Sequence, residues 1–101
     1  MGAASTSLER EAESIFSNLG YTVTAEQGTI RARRKWRVVE VTPMAEPEEP
    51  PTSGDLRCFV TWEERVPTLE QRLTGADLDY EWAIIGVSNG GDYVVSRSST
   101  R

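Results

Sequence analysis

The stretch YTVTAEQGTIRARRKWRVVEVT, residues 21–42, decides the fold because it reads as three short strands with tight connections. In residues 21–25 and again in residues 29–33, apolar and polar side chains alternate, as they do in half-buried strands. Residues 36–42 supply the third strand, and the chain is expected to turn just before it. Connections this short predict a meander of three antiparallel strands.

A helix is predicted immediately before this meander, over residues 5–19. Its apolar side chains recur with helical spacing and form one stripe: Leu8, Ala12, Ile15, Phe16 and Leu19. Gly20 follows, where a left-handed residue can end the helix, and Tyr21 can make the accompanying apolar contact.

The segment after the meander, residues 43–55, holds four of the chain's five prolines, three glutamates and an aspartate. This composition predicts an extended, solvated loop. Beyond it we expect a strand over 56–62, a helix over 64–74 that ends at Gly75, a strand over 80–88, a turn over 89–92 and a strand over 93–96.

Together these elements predict a single α+β domain over residues 1–101, in the order α-β-β-β-loop-β-α-β-β. We expect a mainly antiparallel sheet of five to six strands with both amphipathic helices on one face. The polar termini, residues 1–4 and 98–101, are expected to be frayed.

Composition excludes several kinds of chemistry. The chain has 101 residues, a formal net charge of −5, one cysteine and no histidine. Histidine-based catalysis and a disulfide within the monomer are therefore excluded, and a zinc site lacks ligands. We expect no catalytic residue, no metal and no cofactor.

The sequence contains neither a secretion signal nor a run of about 20 apolar residues that could span a bilayer, which predicts a cytoplasmic protein without a membrane partner.

The candidate site is a basic strip. Five of the eleven basic residues fall in seven consecutive positions around a tryptophan: Arg31, Arg33, Arg34, Lys35, Trp36 and Arg37. On strands, Arg31 and Arg33 share a face, which Arg37 is expected to continue from the neighbouring strand. Guanidinium groups suit bidentate contacts with phosphate, and Trp36 suits either base stacking or the core.

Three interpretations of the strip remain. It binds a protein partner or a second copy, for example by pairing of sheet edges into a homodimer. It binds nucleic acid. Or it is a solvated face neutralised by the chain's own carboxylates, for which four lie close in sequence: Glu46, Glu48, Glu49 and Asp55. We favour a non-enzymatic interaction module with a protein partner, and keep nucleic acid as the alternative.

Glu40 is the only carboxylate within the apolar run of residues 38–41. Helix, strands and then Val-Glu-Val also resemble the element order of restriction-endonuclease-like folds. That resemblance implies an Asp on the preceding strand and a Lys two residues after the Glu, to hold a metal and a water. Here Thr42 occupies the later position. A catalytically inactive relative is therefore a third hypothesis.

Two other residues carry structural predictions. Cys58 alternates with Val60 in an apolar strand, which predicts a buried and unreactive thiol. Gly86 interrupts a strong strand, which indicates a bulge or the close approach of a helix.

Three segments, GDLRCFVTW (54–62), LGYTV (19–23) and YEWA (80–83), resemble a family of short acidic proteins from halophilic archaea. The similarity runs over most of the chain. The resemblance implies a salt-rich cytoplasm, but no activity, because that family has none assigned. One lysine against ten arginines fits such a cytoplasm and fits a GC-rich genome equally well.

Overall fold

The computed structural model describes residues 2–26, 29–46, 50, 54, 56–76, 78–88, 90 and 92–97, with backbone alone at 2–7, 26 and 29. The helices and strands, in chain order, are α1 Gly2–Asn18, β1 Thr22–Glu26, β2 Thr29–Arg34, β3 Arg37–Pro43, β4 Leu56–Trp62, α2 Val66–Ala76, β5 Glu81–Val87 and β6 Tyr93–Arg97. A short 3-10 turn, Glu63–Arg65, leads into α2. The predicted α+β class and order of elements are confirmed.

The end of α1 follows from its sequence. Gly20 adopts a φ of +92°, as predicted. The Tyr21 N–H donates to the Phe16 carbonyl at 3.0 Å and the Gly20 N–H to the Ser17 carbonyl at 3.1 Å, the bonding pattern of a Schellman motif. The Phe16 and Tyr21 rings meet edge to face, 5.3 Å between centroids. These contacts fix the angle at which the chain leaves the helix for β1.

The six strands lie in sequence order across one sheet, β1-β2-β3-β4-β5-β6. The pairs β1–β2, β2–β3 and β5–β6 are antiparallel, which confirms the predicted meander. The pairs β3–β4 and β4–β5 are parallel, so the sheet is mixed. The sequence-based expectation missed this, because parallel pairing depends on how the long connections cross the sheet and not on local turns.

The two helices cover opposite faces of the sheet, and the prediction of both on one face is wrong. The α1 core includes Leu8 and Phe16 together with Val60 and Ile85, whereas alternate residues of the same strands pack under α2. That second core is Met44, Phe59, Val66, Leu69, Leu73, Tyr80, Trp82 and Ile84. Because β4 and β5 are parallel, α2 must cross one face between them, and α1 closes the other.

The acidic segment that follows β3 also connects parallel neighbours. Met44, its first residue after β3, donates its N–H to the Val60 carbonyl at 2.7 Å and buries its side chain in the α2 core. This connection therefore starts on the α2 face as a crossover, where the sequence predicted only a solvated loop. Of residues 47–55, only Pro50 and Gly54 are described, and the frayed segment predicted at 98–101 lies outside the described residues.

Two glycines near α2 differ from each other. Gly75 lies within the helix, which ends at Ala76, so the predicted last helical residue, 74, is two residues too early. Gly86 is the site of close approach that the sequence indicated. A Cβ there would lie 3.2 Å from the Glu63 Cα and would collide with the Val66 side chain. Glycine thus lets the start of α2 rest directly on β5.

Candidate functional site

The basic strip forms the turn between β2 and β3. Arg34 and Arg37 are register partners, so Lys35 and Trp36 are the two central residues of the turn. Lys35 has a φ of +56°, and Trp36 does not share a positive φ. Positive φ at the first central residue alone is the pattern of a type II′ turn, where glycine is preferred. The lysine is therefore held in a conformation that costs about 1 kcal/mol.

Trp36 projects from this turn into solvent. It is 91% exposed, the largest exposure among the large hydrophobic residues that the structure describes. The sequence left Trp36 between core and surface because it alternates with Val38. The structure places it outside β3, since the strand begins only at Arg37.

The strip divides between the two faces of the sheet. Arg31 and Arg33 are register partners of Glu40 and Val38 on the α2 face. Arg34 lies on the α1 face, where its Nε is 3.7 Å from the position a Cβ would take on Gly20. Arg37, opposite Arg34, shares that face, so the expectation that it would continue the row of Arg31 and Arg33 is wrong. Arg31 and Arg33 are two positions apart on one strand and share a face, whereas the register across the turn pairs Arg37 with Arg34 and so sets it on the face of Arg34.

On the α2 face, a carboxylate bridges two guanidinium groups. Glu40 lies 3.1 Å from Arg57 (Oε1 to Nη1) and 3.7 Å from Arg31 (Oε2 to Nη2). The Arg57 guanidinium also lies 5.5 Å from the centroid of the Tyr80 ring. Burial raises the pKa of the Tyr80 hydroxyl, and the nearby positive charge of Arg57 offsets part of that rise. The charge of Arg31 is thus neutralised by a carboxylate of the same chain, as the interpretation of the strip as a solvated, self-neutralised face predicts.

The remaining cations of the strip differ from Arg31. Within the described residues, no carboxylate forms an ion pair with Arg33, Arg34, Lys35 or Arg37. Glu46, one of the expected neutralising groups, pairs instead with Arg65 at 3.3 Å. The other three, Glu48, Glu49 and Asp55, lie outside the described residues. We call Arg33, Arg34, Lys35, Trp36 and Arg37 the basic hairpin.

Glu40 lies beside a parallel strand pair, but its charged neighbours are guanidinium groups and not the second carboxylate that the restriction-endonuclease-like hypothesis implies. Across the residues that the structure describes, no group of three or more His, Cys, Asp or Glu side chains converges to hold a metal ion. What this arrangement can do is hold β2, β3 and β4 together through charge.

Cys58 is buried in the α1 core, which confirms the prediction from its strand position. Burial raises the pKa of its thiol from 9.0 to about 12. A thiol with so high a pKa is almost entirely protonated at neutral pH and is a poor nucleophile.

A second surface was not found from the sequence. On the α1 face, a groove of about 540 Å³ lies between the C-terminal end of α1 and the edge strand β6. Leu19 and Tyr21 line one wall, Ala83 and Ile85 the floor, and Tyr93 with Val95 the other wall. The sequence feature that could have indicated this surface is Tyr-Val-Val at residues 93–95, because it places apolar side chains on both faces of the last strand.

These features define a small α+β protein with a helix on each face of a mixed six-stranded sheet and a basic hairpin at one turn. The chain belongs to a family of unknown function, DUF7116, whose model matches residues 9–96. The match extends from α1 to β6. A comparison with curated proteins gave no match. Among the described helices, none is long and apolar enough to cross a membrane.

Proposed function

We propose that this protein is a small non-enzymatic interaction module that docks on an acidic protein partner through the basic hairpin. The observation that carries the proposal is Trp36, 91% exposed at the tip of a turn whose neighbours are all cations. Tryptophan and arginine are the residue types most enriched at the energetic centres of protein interfaces.

The energetics favour a partner at this position. Burying most of a tryptophan side chain, roughly 200 Å², contributes on the order of 4 kcal/mol. Arg34, Lys35 and Arg37 flank Trp36 in the turn and lack ion pairs with described carboxylates, so an acidic rim on the partner would gain contacts without breaking existing ones. The hairpin thus offers an apolar anchor and a charged rim together.

A protein partner fits the charge of the whole molecule better than nucleic acid. The chain carries −5 overall, so a long polyanion is repelled by most of the surface. A protein needs only a local acidic patch. Nucleic acid remains the second candidate, because an exposed tryptophan among cations also suits base stacking with phosphate contacts.

A catalytically inactive restriction-endonuclease-like fold is the third candidate. Its support is the order of the first elements and the parallel neighbour β4 beside Glu40. Against it stands the ion pair of Glu40 with Arg57, which uses the carboxylate for a structural contact.

The proposed setting is a salt-rich cytoplasm. The net negative charge and the near absence of lysine support a high salt concentration in that compartment. The single cysteine, Cys58, is buried and unpaired, which supports a reducing compartment. In such salt the hairpin's cations are screened, so the apolar contact of Trp36 supplies the larger share of the affinity.

The test is fluorescence anisotropy of a labelled acidic peptide, glutamate with phenylalanine at every fourth position, and of labelled single-stranded DNA, titrated with the protein from low to molar KCl. The variants are Trp36→Ala and the pair Lys35→Glu/Arg37→Glu. A matched pair, Arg10→Glu/Arg72→Glu, changes the net charge equally at exposed sites away from the hairpin.

We expect the peptide to bind the wild type and the matched pair, to bind Trp36→Ala at least tenfold more weakly, and to lose binding to Lys35→Glu/Arg37→Glu. No peptide binding at low salt, or equal loss in the matched pair, would overturn the proposal. Tighter binding of DNA that depends on the same residues would replace the protein partner with nucleic acid.

A further inference from the structure

The last strand of the sheet, β6, is an edge strand with apolar side chains on both faces. Tyr93, Val94 and Val95 are 40%, 47% and 51% exposed. Tyr93 and Val95 lie on the α1 face, and Val94 lies on the opposite face. Edge strands are normally protected by a charge, a proline or a bulge, and these three consecutive residues provide none of them.

The opposite edge of the sheet has a different composition. In β1, Thr22 and Thr24 are the exposed residues of one face, so that edge is polar there. Apolar residues on both faces are typical of an internal strand with neighbours on each side. The sequence of β6 therefore fits a strand that gains a second neighbour.

The backbone of β6 can accept that neighbour. The Ser88 N–H donates to the Asp92 carbonyl at 2.9 Å, so these two residues are a hydrogen-bonded pair at the start of the β5–β6 ladder. Two positions further along the same register, Gly86 lies opposite Val94. Hydrogen-bonded pairs alternate along an antiparallel ladder. The N–H and C=O groups of Val94 thus point to β5, whereas those of Tyr93, Val95 and Arg97 point away from the sheet.

We propose that β6 pairs antiparallel with β6 of a second copy of this chain, about a two-fold axis at Val95. This register sets Val95 opposite Val95, Val94 opposite Ser96, and Tyr93 opposite Arg97. The three outward-facing residues of each copy then make about six main-chain hydrogen bonds, and the two sheets join into one.

The side chains of this strand are complementary to themselves. Arg97 meets a tyrosine ring, which favours a cation–π contact, and no like charges face each other. Val95 loses exposed apolar surface on the α1 face, against its own copy, and Val94 loses it on the opposite face, against Ser96. A strand from an unrelated protein would share the backbone bonds, but only a second copy guarantees these side-chain pairs.

Salt distinguishes this contact from docking through the basic hairpin. Two copies, each with a net charge of −5, repel each other until salt screens the charge. Pairing through β6 should therefore strengthen as KCl rises, whereas attraction of the hairpin to an acidic partner should weaken. The hairpin lies three strands from β6, so either contact can fail without the other.

The experiment is sedimentation equilibrium of the full chain over micromolar to millimolar concentrations, in low and molar KCl. Val95→Pro removes an N–H that makes no bond to β5, so the monomer should keep its fold while the second copy is blocked. Val95→Lys places two charges at the two-fold axis. Thr24→Lys adds the same charge at the β1 edge as a control, and circular dichroism checks that each variant folds.

We expect a wild-type dimer whose dissociation constant falls at least tenfold in molar KCl, monomeric Val95 variants and a dimeric Thr24→Lys. A monomer under every condition, a dimer that survives both Val95 changes, or equal loss in Thr24→Lys would overturn the proposal. If neither Val95 variant folds, hydrogen exchange of the wild type decides. Slowing of the Tyr93 and Val95 amides with concentration supports pairing, and no slowing overturns it.

Discussion

The guanidinium of Arg57 lies 3.1 Å from Glu40 across the parallel pair of β3 and β4, where the two residues are register partners. The Arg57 side chain is only 18% exposed, so water replaces this partner poorly. Gly54 makes room for it, because a Cβ there would lie 2.5 Å from the Arg57 Nε. The pair joins the antiparallel meander to the parallel half of the sheet.

Removing the carboxylate should therefore destabilise the fold. We expect Glu40→Gln to lower the free energy of unfolding by about 1–2 kcal/mol, because Arg57 and Arg31 both lose the negative charge that lies between them. Urea unfolding measures this. Glu64→Gln, at an exposed position without a described ion pair, should change stability by less than about 0.5 kcal/mol. Equal effects of the two substitutions would show that the bridge contributes nothing.

Two glycine substitutions should have opposite signs. Gly86→Ala should cost about 2 kcal/mol, since the new methyl group meets Glu63 and Val66 in a packed region. Gly75→Ala should gain about 0.5–1 kcal/mol, because open space surrounds that helical position. Thermal unfolding of both variants checks the pair. A stable Gly86→Ala would contradict the close approach of α2 to β5.

The turn of the basic hairpin should tolerate glycine well. Lys35→Gly should raise stability by about 0.5 kcal/mol, because glycine adopts the positive φ at no steric cost and loses part of that gain to unfolded-chain entropy. Lys35→Ala removes the same charge but keeps the strained backbone, so it should bring no such gain. Denaturant unfolding that shows equal effects for both would assign the change to charge.

The buried thiol should make stability depend on alkaline pH. The pKa of Cys58 is about 12 in the fold against an ordinary 9.0. The contribution of the neutral thiol to the free energy of unfolding is therefore complete below pH 9 and is lost as the pH rises from 9 towards 12. The unfolded thiol ionises in that window while the folded one does not. One unit above its ordinary pKa, the wild type should have lost about 1.4 kcal/mol through this group.

Cys58→Ala provides the comparison for that experiment. The substitution costs stability at every pH, but the stability difference between wild type and variant should narrow by that amount as the pH rises past 9. Unfolding curves at neutral and alkaline pH measure it. A constant difference would show that the Cys58 thiol ionises in the fold at its ordinary pKa.

Local signals predicted the elements of this fold well. Alternation around Ile30 and Ala32, helical spacing from Leu8 to Phe16 and the glycine at position 20 each follow from contacts within a few residues. The parallel pairing of β3 with β4 depends on a crossover that begins with Met44, and its acidic, proline-rich composition resembles a free loop. Position along the sheet is a property of the whole chain, which local patterns do not encode.

The candidate site was predicted in composition but not in geometry. Charge counting located the strip, yet a two-residue turn at Lys35 and Trp36 reverses which cations share a face. Arg57 was missed as the partner of Glu40 because they are 17 positions apart in the sequence and meet only through parallel pairing. The edge exposure of Tyr93 and Val95 was likewise invisible until the strand order was known.

The most direct test of the central claim is amide and indole chemical-shift mapping of the isotopically labelled protein with the same acidic peptide of glutamate and phenylalanine. Docking through the basic hairpin predicts that the Trp36 indole N–H and the amides of residues 33–38 move together and saturate, while β6 stays unchanged. Shifts confined to β6 or the groove, or no saturating shift at Trp36, would contradict it.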